Sequence, residues 1–268
     1  MIVAAAQTSI DITQNSANLS RTLADIKTAA ELGAKLVVLP ELSNSGYCLT
    51  KEESTSCAEK IDGETIGAWQ LASSELSIII VAGFCEMDEN NKVRNSAVII
   101  DRGNILGVYR KVHLWDKEPD LFLCGEKAPL VVDTSIGRIA VMVCYDIEFP
   151  EWVRMAAIAG AEVLALPTNW PISPKPSSER SSEIFKAQAA AATNRMWVIA
   201  ADRSGEERGL VFQGASMILD LDGYPVVGPV GNEAKVITAE IDFSAARNKT
   251  IIGRANVFTD RKSDLYKI

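Results

Sequence analysis

Two hydrophobic periods alternate along this chain. Short continuous apolar runs, rich in β-branched residues and of strand length, occur at residues 2–7, 35–39, 78–84, 138–144, 163–166, 197–201 and 236–241. Between them the spacing is helical. Leu19, Leu23, Ile26 and Ala30 share a face of a predicted helix over 15–32, which Gly33 ends. Ile66, Trp69, Leu71 and Leu76 mark a second helix over 63–76, and Trp152, Met155, Ala156 and Ile158 a third that Pro150 opens. An alanine-rich helix over 181–194 turns Ile184, Ala187 and Ala191 to its buried side, and those small residues predict close packing against another surface. Residues 92–100 and 105–110, joined by the Gly-containing turn Asp101-Arg102-Gly103-Asn104, read as a hairpin, so the sheet is expected to be mixed. Further strands are expected near 215–220 and 226–230. The Ser/Pro-rich 173–182 reads as a loop, and the tail over 248–268, apolar in places, as a segment that reaches a partner subunit. No internal repeat of fixed period is visible.

Strands that alternate with helices, together with hairpins, predict a layered α/β fold, and no change of composition divides residues 1–268 into two domains. A net charge of −8 without any basic stripe argues against nucleic acid and anionic membrane as partners. The chain starts without a basic leader and holds no run of bilayer length, which predicts a soluble cytoplasmic protein. Cysteines 48, 57, 85, 124 and 144 are odd in number and lack CxxC spacing, as expected of free thiols in a reducing compartment. His113 is the only histidine, so a His-rich metal site cannot be built. A Cys-His or Ser-His hydrolase would have to use this one residue, which also reads as a half-exposed residue after a strand.

Three residues sit where buried strands end, the place where sites gather in α/β proteins. Cys144 stands between the run from Arg138 and a turn into the Pro150 helix. There, backbone N–H groups and a helix end would lower its thiol pKa and favour an oxyanion; the same position suits an ordinary buried thiol. Glu41 follows the run over 35–39, where half-desolvation would suit a general base and where a solvated loop glutamate is also at home. Lys111 lies one step past the hairpin, as a surface lysine or as a fixed cation beside a thiolate.

Leu39-Pro40-Glu41, Tyr109-Arg110-Lys111-Val112-His113-Leu114 and Val143-Cys144-Tyr145-Asp146-Ile147-Glu148-Phe149-Pro150-Glu151 resemble, in this order and at similar separations, the three signatures of the nitrilase, or carbon–nitrogen hydrolase, superfamily. The resemblance extends to Val236–Asp242, similar to the family's closing strand. It implies a four-layer αββα sandwich with mixed sheets, a Glu41-Lys111-Cys144 triad, and subunits that pair into an eight-layered dimer or higher homo-oligomer. Residues 118–125 are similar to the segment E-x-x-x-F-x-P-G that supplies a second active-site glutamate, here Glu118, with Cys124 where the family has proline. In the implied chemistry Glu41 takes the Cys144 proton, the thiolate attacks a carboxamide, ammonia leaves, and water hydrolyses the thioester. Lys111 and the Tyr145 N–H would bind the oxyanion, and neither metal nor organic cofactor is required.

Cys144-Tyr145-Asp146 is similar to the amidase branches, whereas nitrilases proper usually carry Trp-Glu after the nucleophile. Small carboxamides are therefore the expected substrates, with N-carbamoyl amines second, nitriles behind them, and a non-catalytic scaffold the reading from another class. Tyr47, Trp115, Tyr145, Glu148, Asn169 and Trp170 are the expected pocket residues. Several carboxylate-handling relatives have arginine a few residues after the nucleophile; here Glu148 stands four residues after Cys144, either facing substrate or turned into a salt bridge with Arg154.

Overall fold

A computed structural model describes residues 1–176 and 178–266. Ser177 of the predicted loop and Lys267 and Ile268 of the tail lie outside the described residues. In chain order the first half holds β1 (Ile2–Gln7), α1 (Asn15–Glu31), β2 (Leu36–Val38), α2 (Lys51–Cys57), α3 (Glu64–Leu76), β3 (Ile79–Met87), β4 (Val93–Asp101) and β5 (Asn104–Arg110). The second half holds α4 (Glu118–Leu121), β6 (Leu130–Asp133), β7 (Arg138–Val141), α5 (Pro150–Ile158), β8 (Val163–Pro167), α6 (Ser182–Asn194) and β9 (Trp197–Ala201). The hairpin β10 (Glu206–Glu207) and β11 (Leu210–Val211) follows, then β12 (Met217–Leu219), β13 (Pro225–Val227) and β14 (Lys235–Glu240).

The period-2 alternation of side chains builds the layers. Along β1, Val3 and Ala5 point into the space between two sheets, while Ala4 and Ala6 point outward to Ile26 and Ala29 of α1 and Ile66 and Trp69 of α3. One six-stranded sheet has the order β14-β1-β2-β3-β4-β5 and the other β13-β12-β9-β8-β7-β6. Val153, Ala156 and Ala157 of α5 and Ile184, Ala187 and Ala191 of α6 cover the second sheet's outer face. The result is the expected αββα sandwich of mixed sheets. Alanines at the buried positions of α6 let it lie close to the sheet.

The two halves repeat one topology. β1-β2-β3-β4-β5 run parallel, parallel, antiparallel, antiparallel, and β7-β8-β9-β12-β13 do the same, with β14 and β6 as matching antiparallel edges. In this correspondence Leu39-Pro40-Glu41 after β2 matches Leu166-Pro167-Thr168 at the end of β8. The duplication escaped the search for a fixed period because the loops that separate equivalent strands differ in length. Pattern reading also missed α2, β6 and the β10–β11 hairpin, all short. Part of the tail packs on the rest of the chain, with the cations of Arg154 and Lys249 over the Phe258 ring and Lys249 donating to the carbonyls of Asn194 and Arg195 at the end of α6, while Ile251, Ile252 and Leu265 are exposed. Among the described residues no helix is long and apolar enough to cross a membrane.

Candidate active site

The centre of each sheet opens at the strand ends, and four ionisable or nucleophilic side chains meet there. Glu41 enters from the turn after β2, which lies so close to β3 that a Cβ on Gly83 would come within 2.5 Å of the Glu41 Cα. Only glycine allows this approach. The Glu41 side chain is fully buried; its Oε1 accepts from Lys111 Nζ and Asn95 Nδ2, each at 2.7 Å, and its Oε2 has no partner among the described residues. Burial lifts the carboxyl above its ordinary value, the Lys111 ammonium pulls it down and Glu118 pushes it up, with a net rise.

Lys111 follows β5 and is equally buried, with Nζ 2.7 Å from Glu41 Oε1 and 2.8 Å from Glu118 Oε1. Burial alone would discharge it. The two carboxylates outweigh burial and hold the ammonium above its usual pKa, so it stays a fixed cation. Glu118 opens α4; Oε1 also accepts from the Tyr47 hydroxyl at 2.8 Å and Oε2 from the Trp115 N–H at 3.1 Å. The loop after Glu118 is pinned without the family's proline. Arg94 Nη1 donates to the Cys124 carbonyl at 2.6 Å, Leu123 N to Val93 O at 3.0 Å and Gly125 N to Lys111 O at 2.8 Å.

Cys144 begins a 3-10 turn, Cys144–Glu148, after Met142 and Val143 have followed β7, with φ of 48°. A left-handed non-glycine residue costs about 1–2 kcal/mol and persists only where its surroundings hold it. The holder here is Asp146. Its buried carboxylate accepts from Val143 N (3.0 Å), His113 N (3.0 Å) and the Tyr109 hydroxyl (2.8 Å), and lies 2.7 Å from His113 Nδ1. The lone histidine thus braces the turn, stacked on Phe149 at 3.7 Å between centroids.

Two expectations for Cys144 need correction. The side chain is 7% exposed rather than open at the sheet end, and its thiol is raised well above its ordinary pKa instead of lowered. Burial is the largest cause and the Glu41 charge the next, and together they outweigh Lys111 and the backbone hydrogen bond from Asn169. The helix end expected to favour a thiolate starts only at Pro150, beyond the intervening turn. Burial and the Glu41 charge thus favour the thiol over the thiolate.

A cavity of about 200 Å³ leads to Cys144. All six expected pocket residues, Tyr47, Trp115, Tyr145, Glu148, Asn169 and Trp170, line it. Asn169 also donates to the Glu41 carbonyl at 2.9 Å, tying the two topologically equivalent turns together. Glu148 both lines the cavity and is paired, but with Lys186 at 2.6 Å; Arg154 donates instead to the Thr193 carbonyl at 2.7 Å. Lys186 and Glu183 of α6 face the cavity too, and sequence reading passed over both, as it did Asn95. Asn95 sits in a strand where alternation marks only burial, whereas Glu183 and Lys186, three apart on a predicted helix, carried a visible signal of one polar edge.

The family model for carbon–nitrogen hydrolases matches residues 2–249. The chain is 36% identical to a nitrilase from Pyrococcus abyssi over 98% of both chains, and 32% identical to the N-carbamoylputrescine amidase of Solanum lycopersicum over 96% of this chain and 90% of that one. Among solved structures it is similar to a mutant of the amidase from Nesterenkonia sp. AN1 showing Michael addition of acrylamide at the active site cysteine. That similarity has a TM-score of 0.81 at 25% identity and covers 99% of this chain and 98% of the other.

Proposed function

The chain belongs to the carbon–nitrogen hydrolase family, and from that premise we propose that residues 1–268 act as one domain that hydrolyses small carboxamides to carboxylic acid and ammonia. The observation that carries this reading is the shared ammonium: Lys111 Nζ bridges Glu41 and Glu118 while Glu41 Oε2 has no partner among the described residues, in a buried site that couples electrostatically to Cys144. Glu41 is the base. As the Cys144 sulfur attacks the amide carbon, its proton passes to Glu41, so charge moves between buried groups without a standing thiolate. Lys111 and the Tyr145 N–H stabilise the tetrahedral oxyanion. Protonated Glu41 returns the proton to the departing nitrogen; ammonia leaves and a thioester remains. Glu41 then takes a proton from water, which Glu118 orients; hydroxide attack on the thioester expels the Cys144 sulfur, which takes the proton back from Glu41 as the acid leaves, restoring thiol and carboxylate.

Similarity to an N-carbamoylputrescine amidase favours the ureido carbon of N-carbamoyl amines as the second substrate class. Ammonia release from a panel of primary amides, N-carbamoyl amines and nitriles by pure protein tests both readings, with amides expected to turn over fastest. No release from any of the three overturns them.

Charge narrows the class further. At the cavity, Glu148 and Glu183 face one cation, Lys186, and deeper in, Glu41 and Glu118 share one cation, Lys111. Neutral or amine-bearing amides are therefore expected to exceed ω-carboxylated amides such as 2-oxoglutaramate in kcat/KM by about tenfold or more. Glu148→Arg leaves two cations side by side and should narrow or invert that gap. Wild-type preference for the acidic amide would sink the argument.

The protein acts in the cytoplasm as a homodimer or larger assembly. Support for pairing comes from α5 and α6, whose outer faces present Met155, Ile158 and Phe185, each 47–49% exposed, on adjacent helices. Light scattering at micromolar concentration should report at least a dimer, and Phe185→Asp should shift it toward monomer. A monomeric wild type refutes the pairing.

A further inference from the structure

The β10–β11 hairpin belongs to neither large sheet, yet Glu207 of β10 is buried, as is Arg203 just before the hairpin. Arg203 and Glu207 form an ion pair with side chains 1% and 2% exposed. Removing two charges from water is costly, and neither residue lines the cavity at Cys144. What the pair holds is more informative. Glu207 Oε2 accepts the consecutive N–H groups of Tyr47 and Cys48, both at 2.9 Å. Arg203 donates to the Ile10 carbonyl at 2.6 Å and lies 4.2 Å over the Phe212 ring, against which the Tyr47 ring stands edge-on at 6.1 Å. Backbone approach at this place is tight: a Cβ on Gly46, whose φ is +86°, would come within 2.7 Å of Glu207 Oε1 and 2.8 Å of the Ile12 Cα. The Tyr47 ring is therefore fixed at its main chain and along its edge, and its hydroxyl ends 2.8 Å from Glu118 Oε1, the oxygen that also receives Lys111.

We propose that Glu207, held by Arg203, is a positioning residue for the reaction: it sets the Tyr47 backbone so that the Tyr47 hydroxyl keeps Glu118 aligned on Lys111. The inference rests on the reading of Glu118 as the second active-site carboxylate. The hairpin reaches the opposite cavity wall as well, through Gln213 Nε2 to the Pro171 carbonyl (2.8 Å) and Ile172 N to the Val211 carbonyl (2.8 Å), so it clasps both sides of the pocket. Misplacing a catalytic group by an ångström from a distance is enough to slow a reaction by about 100-fold.

A double-mutant cycle in the full-length protein tests this. Glu207→Gln keeps an acceptor for the two N–H groups but discharges the brace, and Tyr47→Phe removes only the hydroxyl. Each is expected to lower kcat by roughly 10- to 100-fold with KM changed less than about threefold, and the double variant to be no slower than the slower single. Independent, multiplying losses, a rise in KM alone, or wild-type kcat in Glu207→Gln would overturn the proposal. Phe212→Leu leaves the ion pair intact and loosens the Tyr47 edge, so it serves if Glu207→Gln does not fold; it should lower kcat in the same sense, and wild-type kcat in folded Phe212→Leu refutes the brace. Glu118→Gln is measured alongside. Its inactivation together with a multiplicative cycle overturns the brace alone, whereas a fully active Glu118→Gln overturns the reading of Glu118 and this inference with it.

Discussion

Cys144→Ala is expected to lower turnover by at least about 10⁴-fold, since the remaining groups can polarise an amide but cannot form the thioester. The fold should survive, because the change deletes one atom at the wall of an existing cavity and costs on the order of 1 kcal/mol. One equivalent of a small alkylating reagent should block activity by modifying Cys144. What sets Cys144 apart is access through the cavity, beside a carboxylate that can take its proton; no other cysteine lines that cavity, Cys85 and Cys57 are buried, and burial with the nearby Glu207 charge pushes the Cys48 thiol up to about 11. Cys124 is half-buried, away from the residues that line the cavity. Mass spectrometry of the labelled protein and circular dichroism of the variant make the two checks. An active Cys144→Ala protein ends the mechanism.

The second large effect is expected at Glu41, the proposed base. Glu41→Gln preserves the shape of the site but has no carboxylate to take the thiol proton, and a loss of about 10³-fold or more in kcat is expected. The pH profile follows from the same group. Glu41 must be ionised to act, and its pKa is raised above 4.5 by burial, so kcat/KM should fall as pH drops through a value above 4.5. Two neighbours pull that value down: the Lys111 ammonium and the Asn95 amide. Removing either makes the carboxyl harder to ionise, so the acid limb moves to higher pH. Asn95→Leu, which retains the bulk and deletes the donor, should shift the limb upward by about 1 pH unit or less while leaving activity above it measurable. Lys111→Met should shift it further, with kcat reduced by about 10²–10³-fold through loss of the oxyanion cation. An acid limb that stays in place in Asn95→Leu would show that another group sets it.

The measure of what the sequence held is visible in particular residues. Apolar runs of strand length located β1, β3, β8 and β9 closely, because burial of continuous β-branched stretches is a local property that period and length reveal. The runs over 35–39 and 138–144 located Glu41 and Cys144 at strand ends, the hairpin over 92–110 located Lys111, and the order of three short motifs carried the family. Strands of two to four residues, such as β6, β10 and β11, offered too few positions to set a period. Asn95 looked like any polar residue in a strand, and nothing near it in the chain points to Glu41, 54 positions away.

By itself, then, the sequence determined the longer elements and their alternation, since each depends on neighbours a few residues apart, while the αββα class and the candidate site residues came from the resemblance of its motifs to a family. Tertiary structure alone decided the charges and the partners. Closing two sheets over one point buried the Cys144 thiol and raised its pKa, where the local turn had suggested the reverse. It gave Glu148 to Lys186, 38 residues on, in place of Arg154, and brought Glu207 from a remote hairpin under Tyr47. It also exposed a duplicated topology that unequal loops conceal in the sequence. Electrostatic environment and long-range pairing depend on what packing excludes from water, and that is settled only when segments far apart in the chain meet.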